Sequence, residues 1–135
     1  MTGENRRENS RAESALGDDA LRAADHLLGL GLHNDAVSRA YYAAFHYARA
    51  LLLTEGLEPR THRGVVALLE RHFAAPGRLD RDAVALLARL QTFRSLADYD
   101  ARERLPGERA SAEVGAARRF VDLARSLLRT GGFLE

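Results

Sequence analysis

The longest regular pattern of apolar and polar positions covers residues 35–55, DAVSRAYYAAFHYARALLLTE. At about 100° per residue, the apolar and aromatic side chains of this segment fall on one broad face of a helix. The members of that face are Val37, Ala40, Tyr41, Ala44, Phe45, Tyr47, Ala48, Leu51 and Leu52. The pattern predicts one long amphipathic helix around which the rest of the chain is organised.

The opposite face of this helix carries Asp35, Arg39, Tyr42, His46 and Arg49. One interpretation is a hydrated surface on which Asp35 and Arg39 form an i,i+4 ion pair. The alternative is a site for an anionic ligand or a partner helix, with Tyr and Arg as anchors. His46 could act there as a general base, since imidazole titrates near neutral pH.

Two segments at the start of the chain differ in composition. Residues 1–13 are polar and charged and predict a disordered arm, because they offer nothing to bury. A first helix is predicted over residues 14–30, with glycines after it as a C-terminal stop. Asn34 or Asp35 is a candidate cap for the following long helix.

Three more amphipathic segments follow the long helix. We expect a third helix to begin after Thr61 and to end at Pro76-Gly77, and a fourth to begin after Asp80. A fifth is expected over residues 108–129. Short connections make such helices antiparallel neighbours. The prediction is an all-α, antiparallel up-and-down bundle of about five helices, in one domain over residues 14–130 with a short tail at 131–135.

One charged side chain lies inside the apolar stripe of the fourth helix. Arg94 projects within about 40° of Leu90, where an isolated guanidinium would be costly. Asp98, one turn later, is its expected partner. The pair could simply fix helix packing, or Asp98 could hold Arg94 rigid and aimed at a phosphate.

His62 stands at the predicted beginning of the third helix, directly after Thr61. The N-terminus of a helix favours anions, so Thr61, His62 and Arg63 could bind a phosphate. Ordinary capping by Thr61 explains the same residues equally well.

Composition narrows the chemistry. The 135 residues carry a net charge of +1, so no overall basic field indicates nucleic acid. All basic side chains other than histidine are arginine, which suits bidentate phosphate contact. The chain has no cysteine, no phosphate loop and no histidine pair at metal-binding spacing, so we expect neither cofactor nor metal. No apolar run is long enough for a membrane span and no signal-peptide core is present, so a cytoplasmic protein without a membrane partner is expected.

Three segments together resemble the HEPN (higher eukaryotes and prokaryotes nucleotide-binding) class of small prokaryotic proteins. They are SRAYYAAFHYARALL, GLEPRTHRGVVALLERHF and FRSLADYD, in the family's order and over residues 18–128. The resemblance implies a helical bundle that often forms a homodimer. It also implies a minimal nucleotidyltransferase as a frequent partner, in a toxin–antitoxin pair. Active members of the class are metal-independent RNases.

The RNase members carry an arginine and then, after four to six intervening residues, a histidine. Arg94 matches the arginine, but Tyr99 stands five positions later and no histidine follows nearby. Arg39 and His46 have a similar spacing at a different location. In members paired with a nucleotidyltransferase, a tyrosine close to the motif can be modified with AMP, and Tyr99 could take such a role.

These observations leave three functional hypotheses. The first is a HEPN protein that works with a nucleotidyltransferase partner and binds nucleotide or RNA phosphate. If it is catalytic, His46 or His62 acts as base and Arg94 or Arg39 stabilises the phosphorane. The second is a non-catalytic module that dimerises through the back of the long helix. The third is a nucleotide-binding domain without hydrolysis. Only the first requires His46 or His62 to lie near Arg94 in space.

Overall fold

Helix α2 (His33–Thr54) is the central element of the fold, which is seen in a computed structural model. The structure describes residues 2–99, 102 and 104–135, without the side chains of residues 96–99. The other elements are α1 (Gly3–Gly29), α3 (His62–Leu69), a π-helical turn (Glu70–Ala74), α4 (Arg81–Tyr99) and α5 (Gly107–Thr130). Within the described ranges there is no strand. The predicted all-α bundle of five helices is therefore confirmed.

Helix α2 contacts each of the other four helices and is buried on almost every side. Its alanines at positions 36, 40, 43, 44, 48 and 50 have no exposed surface. Small side chains let neighbouring backbones approach closely, which accounts for a helix that is buried on almost every side without being uniformly apolar. The side with Arg39, Tyr42 and His46 remains partly open. None of the described helices has the length and apolar character that crossing a membrane requires.

Helix α1 begins at Gly3, much earlier than the predicted start at residue 14. Residues 3–13, which the sequence assigned to a disordered arm, are the first turns of this helix. Thr2 caps it by accepting a hydrogen bond from Asn5 N at 3.1 Å. Ser10 is fully buried and its hydroxyl donates to the carbonyl oxygen of Ala50 at 3.0 Å. A polar residue can therefore be part of the helix interface, because its hydrogen bond offsets the cost of burial.

Gly17 is the point of closest approach between α1 and α2. A Cβ atom at this position would lie 2.5 and 2.8 Å from two ring carbons of Tyr47, and 3.2 Å from the carbonyl oxygen of Ala43. The Tyr47 ring is held in place, because its hydroxyl donates to Asp18 at 2.5 Å and accepts from Arg125 Nε at 3.1 Å. This contact fixes α1 against the central helix.

The predicted cap of α2 is wrong. The helix begins at His33, and no side chain caps it. The Asn34 side chain instead accepts a hydrogen bond from Leu105 N at 2.9 Å, and His33 Nδ1 lies 3.2 Å from Leu105 O. These two residues fasten the segment before α5 to the start of α2.

The cap predicted for α3 is confirmed, since the Thr61 side chain accepts a hydrogen bond from Gly64 N at 3.0 Å. The regular α-helix ends at Leu69, however, and the next residues, Glu70–Ala74, form the π-helical turn. The turn after it places Gly77 at a φ of +84°, a conformation that favours glycine.

Candidate functional site

Three helices contribute aromatic and arginine side chains to one cluster. Helix α2 supplies most of them, α3 supplies a histidine from its first position, and α4 supplies an arginine. The members of this aromatic–arginine cluster are Arg39, Tyr41, Tyr42, Phe45, His62 and Arg94.

Tyr41 lies at the centre of the aromatic–arginine cluster and is only 4% exposed. Its hydroxyl is hydrogen-bonded to His62 Nδ1 at 3.0 Å. The Arg94 guanidinium carbon lies 5.6 Å from the centre of the Tyr41 ring. A single buried side chain therefore connects the candidate base His62 to the candidate phosphate-binding residue Arg94.

The rings in this cluster stack on one another. Tyr41 and Phe45 have ring centres 5.6 Å apart, and Phe45 and His62 lie 6.4 Å apart with an angle of 17° between their planes. Such contacts, together with the hydrogen bond between Tyr41 and Nδ1, hold the imidazole in one orientation. Because Nδ1 bonds to Tyr41, Nε2 is the ring nitrogen that remains for a ligand.

Burial determines the charge state of both partners in this hydrogen bond. It raises the pKa of Tyr41 to about 12, so the hydroxyl stays protonated at neutral pH, although the Arg94 charge opposes this shift. Burial also lowers the pKa of His62, which favours the neutral imidazole. A neutral imidazole is the form that accepts a proton, so His62 has the state that a general base needs.

Two guanidinium groups approach the ring of Tyr42. The guanidinium carbon of Arg39 lies 4.6 Å from the ring centre and that of Arg94 lies 5.1 Å from it. The interpretation of Arg39 as the partner of Asp35 is wrong, because no ion pair joins these two described side chains. Two positive charges around one ring create a potential that favours an anionic ligand.

The structure places His46 and Arg49 in a different contact. His46 Nδ1 lies 2.7 Å from Glu13 Oε2, and Arg49 Nη2 lies 3.5 Å from Glu13 Oε1. The Glu13 carboxylate is mostly buried between them. These residues attach α1 to α2, and of the two candidate bases it is His62 that shares Tyr41 with Arg94.

Two further candidates lie outside the described side chains. Asp98 and Tyr99 belong to the last turn of α4, but the structure does not describe their side chains, so the Arg94–Asp98 pair and the role of Tyr99 stay predictions. Across the described residues, no group of three or more histidine, aspartate or glutamate side chains could hold a metal ion.

Sequence reasoning missed Tyr41, Phe45 and Glu13. Tyr41 and Phe45 were assigned to the core because they lie on the apolar face. The tyrosine hydroxyl was the available signal, since a buried Tyr O–H requires a hydrogen-bond partner. Glu13 had no signal, because it stood in a segment that was read as disordered.

The fold and the site define a class: an all-α bundle with an arginine, aromatic and histidine cluster where α2, α3 and α4 meet. The family model of the HEPN domain matches residues 15–131. The chain therefore belongs to the HEPN domain family.

Relatives match over nearly the whole chain. A candidate toxin of Methanocaldococcus jannaschii is 34% identical over 123 residues, which is 91% of this chain and 91% of its own length. A second candidate toxin of the same organism is 28% identical over 118 residues, covering 87% of this chain and 80% of that protein. A UPF0332 protein of Gloeobacter violaceus is 34% identical over 129 residues, covering 95% of this chain and 98% of its own.

Proposed function

We propose that this HEPN protein is a toxin that cleaves RNA without a metal ion, at the aromatic–arginine cluster. The observation that carries the proposal is the position of Tyr41, which is hydrogen-bonded to His62 and contacts the Arg94 guanidinium. The names of the two relatives from Methanocaldococcus jannaschii support the toxin assignment.

The cleavage step uses the ribose 2′-hydroxyl next to the scissile phosphate. In the neutral tautomer whose proton is on Nδ1 and is donated to the Tyr41 oxygen, Nε2 of His62 removes the 2′-hydroxyl proton, and the 2′-oxygen attacks the adjacent phosphorus. Arg94 stabilises the negative charge that develops on the phosphorane. The bond from phosphorus to the 5′-oxygen then breaks, that oxygen takes up a proton from water, and His62 releases its proton to solvent. The products are a 2′,3′-cyclic phosphate and a free 5′-hydroxyl.

Tyr41 acts as a positioning residue in this mechanism. Its hydrogen bond fixes the imidazole so that Nε2 carries out the proton transfer. Its ring contacts the Arg94 guanidinium and helps to position that group. Arg39 lies at the open side of Tyr42 and would bind the phosphate from there. A histidine from α3 would thus supply the base that the usual motif on α4 lacks in this chain.

Dimerisation and a nucleotidyltransferase partner remain predictions from the family resemblance. The back of α2 at His46 and Arg49 is engaged by Glu13 of α1. A dimer through the back of α2 would therefore use the end that carries Arg39 and Tyr42.

The proposal is tested with purified protein and total RNA in EDTA. Wild type should produce fragments with 2′,3′-cyclic phosphate ends. His62→Gln and Arg94→Ala should each lower the rate by about 100-fold or more, the range found when a general base or a charge-stabilising group is removed. His26→Gln, at an exposed histidine of α1, is the matched control and should retain wild-type activity.

Two results would overturn the proposal. One is cleavage that persists in both His62→Gln and Arg94→Ala, which would point to a contaminating nuclease or to another site. The other is a folded wild type that leaves RNA intact under these conditions, which would favour the non-catalytic interaction module.

A further inference from the structure

A groove of about 470 Å³ runs between α1 and α2, next to the aromatic–arginine cluster. Residues one turn apart on each helix form its two walls. Helix α1 contributes Leu16, Asp19, Ala20 and Ala23, and helix α2 contributes Arg39, Tyr42 and His46.

The floor of the groove is apolar and its side chains are small. Ala20 and Ala23 stand where larger residues would fill the space between the helices. Leu16 is 51% exposed at one edge, and the partly exposed Tyr42 ring lies across from it. An apolar slot with an aromatic wall suits a flat ligand that stacks on the ring and packs against aliphatic carbon.

The two walls carry opposite charges. Arg39 on α2 forms no ion pair with a described carboxylate and contacts the Tyr42 ring at 4.6 Å. Asp19 on α1 pairs with Arg22 at 3.3 Å, but both side chains are largely exposed, so this pair is weak and open to exchange. The groove therefore offers the Arg39 cation on its α2 wall and the Asp19 carboxylate, a hydrogen-bond acceptor, on its α1 wall.

Tyr42 belongs to both the groove and the cluster. Its ring lines the groove, and the Arg94 guanidinium lies 5.1 Å from the ring centre. A ligand whose phosphate lies at Arg94 and Arg39 would place the neighbouring group of the same molecule in the groove.

We propose that the groove between α1 and α2 binds the nucleobase adjacent to the phosphate held by Arg94 and Arg39. The base stacks on Tyr42 and packs against Leu16, and its edge donates hydrogen bonds to the Asp19 carboxylate. An ionised carboxylate can only accept hydrogen bonds, and guanine presents two N–H donors side by side on one edge. Guanine is therefore the preferred base and uracil the least favoured among the common ones. This inference rests on the proposed function, because it uses the same phosphate site.

The test compares binding of guanosine monophosphate, uridine monophosphate and ribose 5-phosphate by calorimetry. Ribose 5-phosphate has the phosphate without a base and reports on the arginines alone. Guanosine monophosphate should bind about tenfold more tightly than ribose 5-phosphate, the scale of one stacking contact. Asp19→Asn should reduce the preference for guanosine over uridine monophosphate.

Variants of the groove separate the base from the phosphate. Two variants should weaken the binding of guanosine monophosphate about tenfold and leave the affinity for ribose 5-phosphate unchanged. They are Leu16→Ala, which removes the packing contact, and Ala23→Leu, which fills the groove. Arg94→Ala should weaken the binding of both ligands. Leu123→Ala is the matched control, because Leu123 is a leucine of similar exposure (45%) on α5 and should change neither affinity.

The outcomes distinguish this inference from the proposed function. If ribose 5-phosphate binds in an Arg94-dependent way and the base adds nothing, the nucleobase site is wrong while the phosphate site stands. If no ligand binds and RNA is not cleaved, both proposals fail. If Leu16→Ala converts a dimer to a monomer in sedimentation without changing nucleotide affinity, the groove is covered by a second copy of the chain and the inference is overturned.

Discussion

Replacing Gly17 with alanine tests the packing of α1 against α2, the two helices that form the walls of the groove. The new Cβ would lie 2.5 and 2.8 Å from two ring carbons of Tyr47, closer than such atoms approach in folded proteins. The ring has little freedom to move away, because Asp18 and Arg125 both hold its hydroxyl. The two helices must therefore separate or the two hydrogen bonds must distort.

The expected magnitude is the difference of two opposing effects. Overpacking of a well-packed core costs about 1–3 kcal/mol. Alanine in place of glycine inside a helix contributes about 1 kcal/mol in the other direction. Since the contact involves two atoms of a restrained ring, the upper part of the first range applies. We expect Gly17→Ala to lower the free energy of unfolding by about 1–2 kcal/mol.

Urea unfolding followed by circular dichroism at a helix-sensitive wavelength measures this loss. Gly115→Ala is the matched control, because its nearest side-chain atom would be Arg119 Nη1 at 3.7 Å and the long side chain can move. That variant should be stabilised by up to about 1 kcal/mol. Adding Tyr47→Phe frees the ring and should reduce the cost of Gly17→Ala. The reasoning is refuted if Gly17→Ala is as stable as Gly115→Ala.

Two further predictions concern ionisable groups. Burial lowers the pKa of His62 in the folded state, so the unfolded chain binds the proton more readily and stability falls as the pH drops below about 6.5. His62→Asn should remove part of this loss between pH 7.5 and pH 5, and equal losses in both proteins would contradict the assignment. Glu113 is 4% exposed and accepts a hydrogen bond from Arg89 Nε at 2.8 Å. Glu113→Gln should cost about 2 kcal/mol in urea unfolding, whereas Asp122→Asn, at an exposed carboxylate, should cost under about 0.5 kcal/mol. Similar costs for both would show that burial of the Glu113 carboxylate adds little to its ion pair.

Hydrophobic periodicity predicted the fold because most of the interior is built from apolar residues at helical spacing. It failed at the start of α1, where Ser10, Ser14 and Gly17 form the buried side. Small and polar residues give no hydrophobic signal, and the hydrogen bond from Ser10 to α2 exists only after the helices pack. The predicted cap of α2 was wrong for a related reason, since the Asn34 side chain accepts a hydrogen bond from Leu105, a residue distant in sequence.

The candidate site was predictable in its parts and not in its assembly. Arg94, His62 and Arg39 were selected from local anomalies of charge on each helix. Their relation depends on how α3 and α4 pack against α2, which no single segment encodes. Tyr41 joins them, and its position on the apolar face gave it the appearance of a core residue. His46 and His62 were equal candidates for the base, and only the packing of α3 shows that His62 is the one that shares Tyr41 with Arg94.

The central position of α2 has a consequence for hydrogen exchange. Local opening of α1, α3, α4 or α5 alone leaves α2 covered by the remaining helices, because α2 contacts all four. Its amide protons should therefore exchange with solvent only when the whole chain unfolds, while those of the short α3 exchange through smaller openings. His62 would then lie on a less protected element and Tyr41 on the most protected one, since they belong to α3 and α2. The hydrogen bond between them would thus join a slow-exchanging helix to a faster-opening segment, so the imidazole is held in place only while α3 is packed against α2.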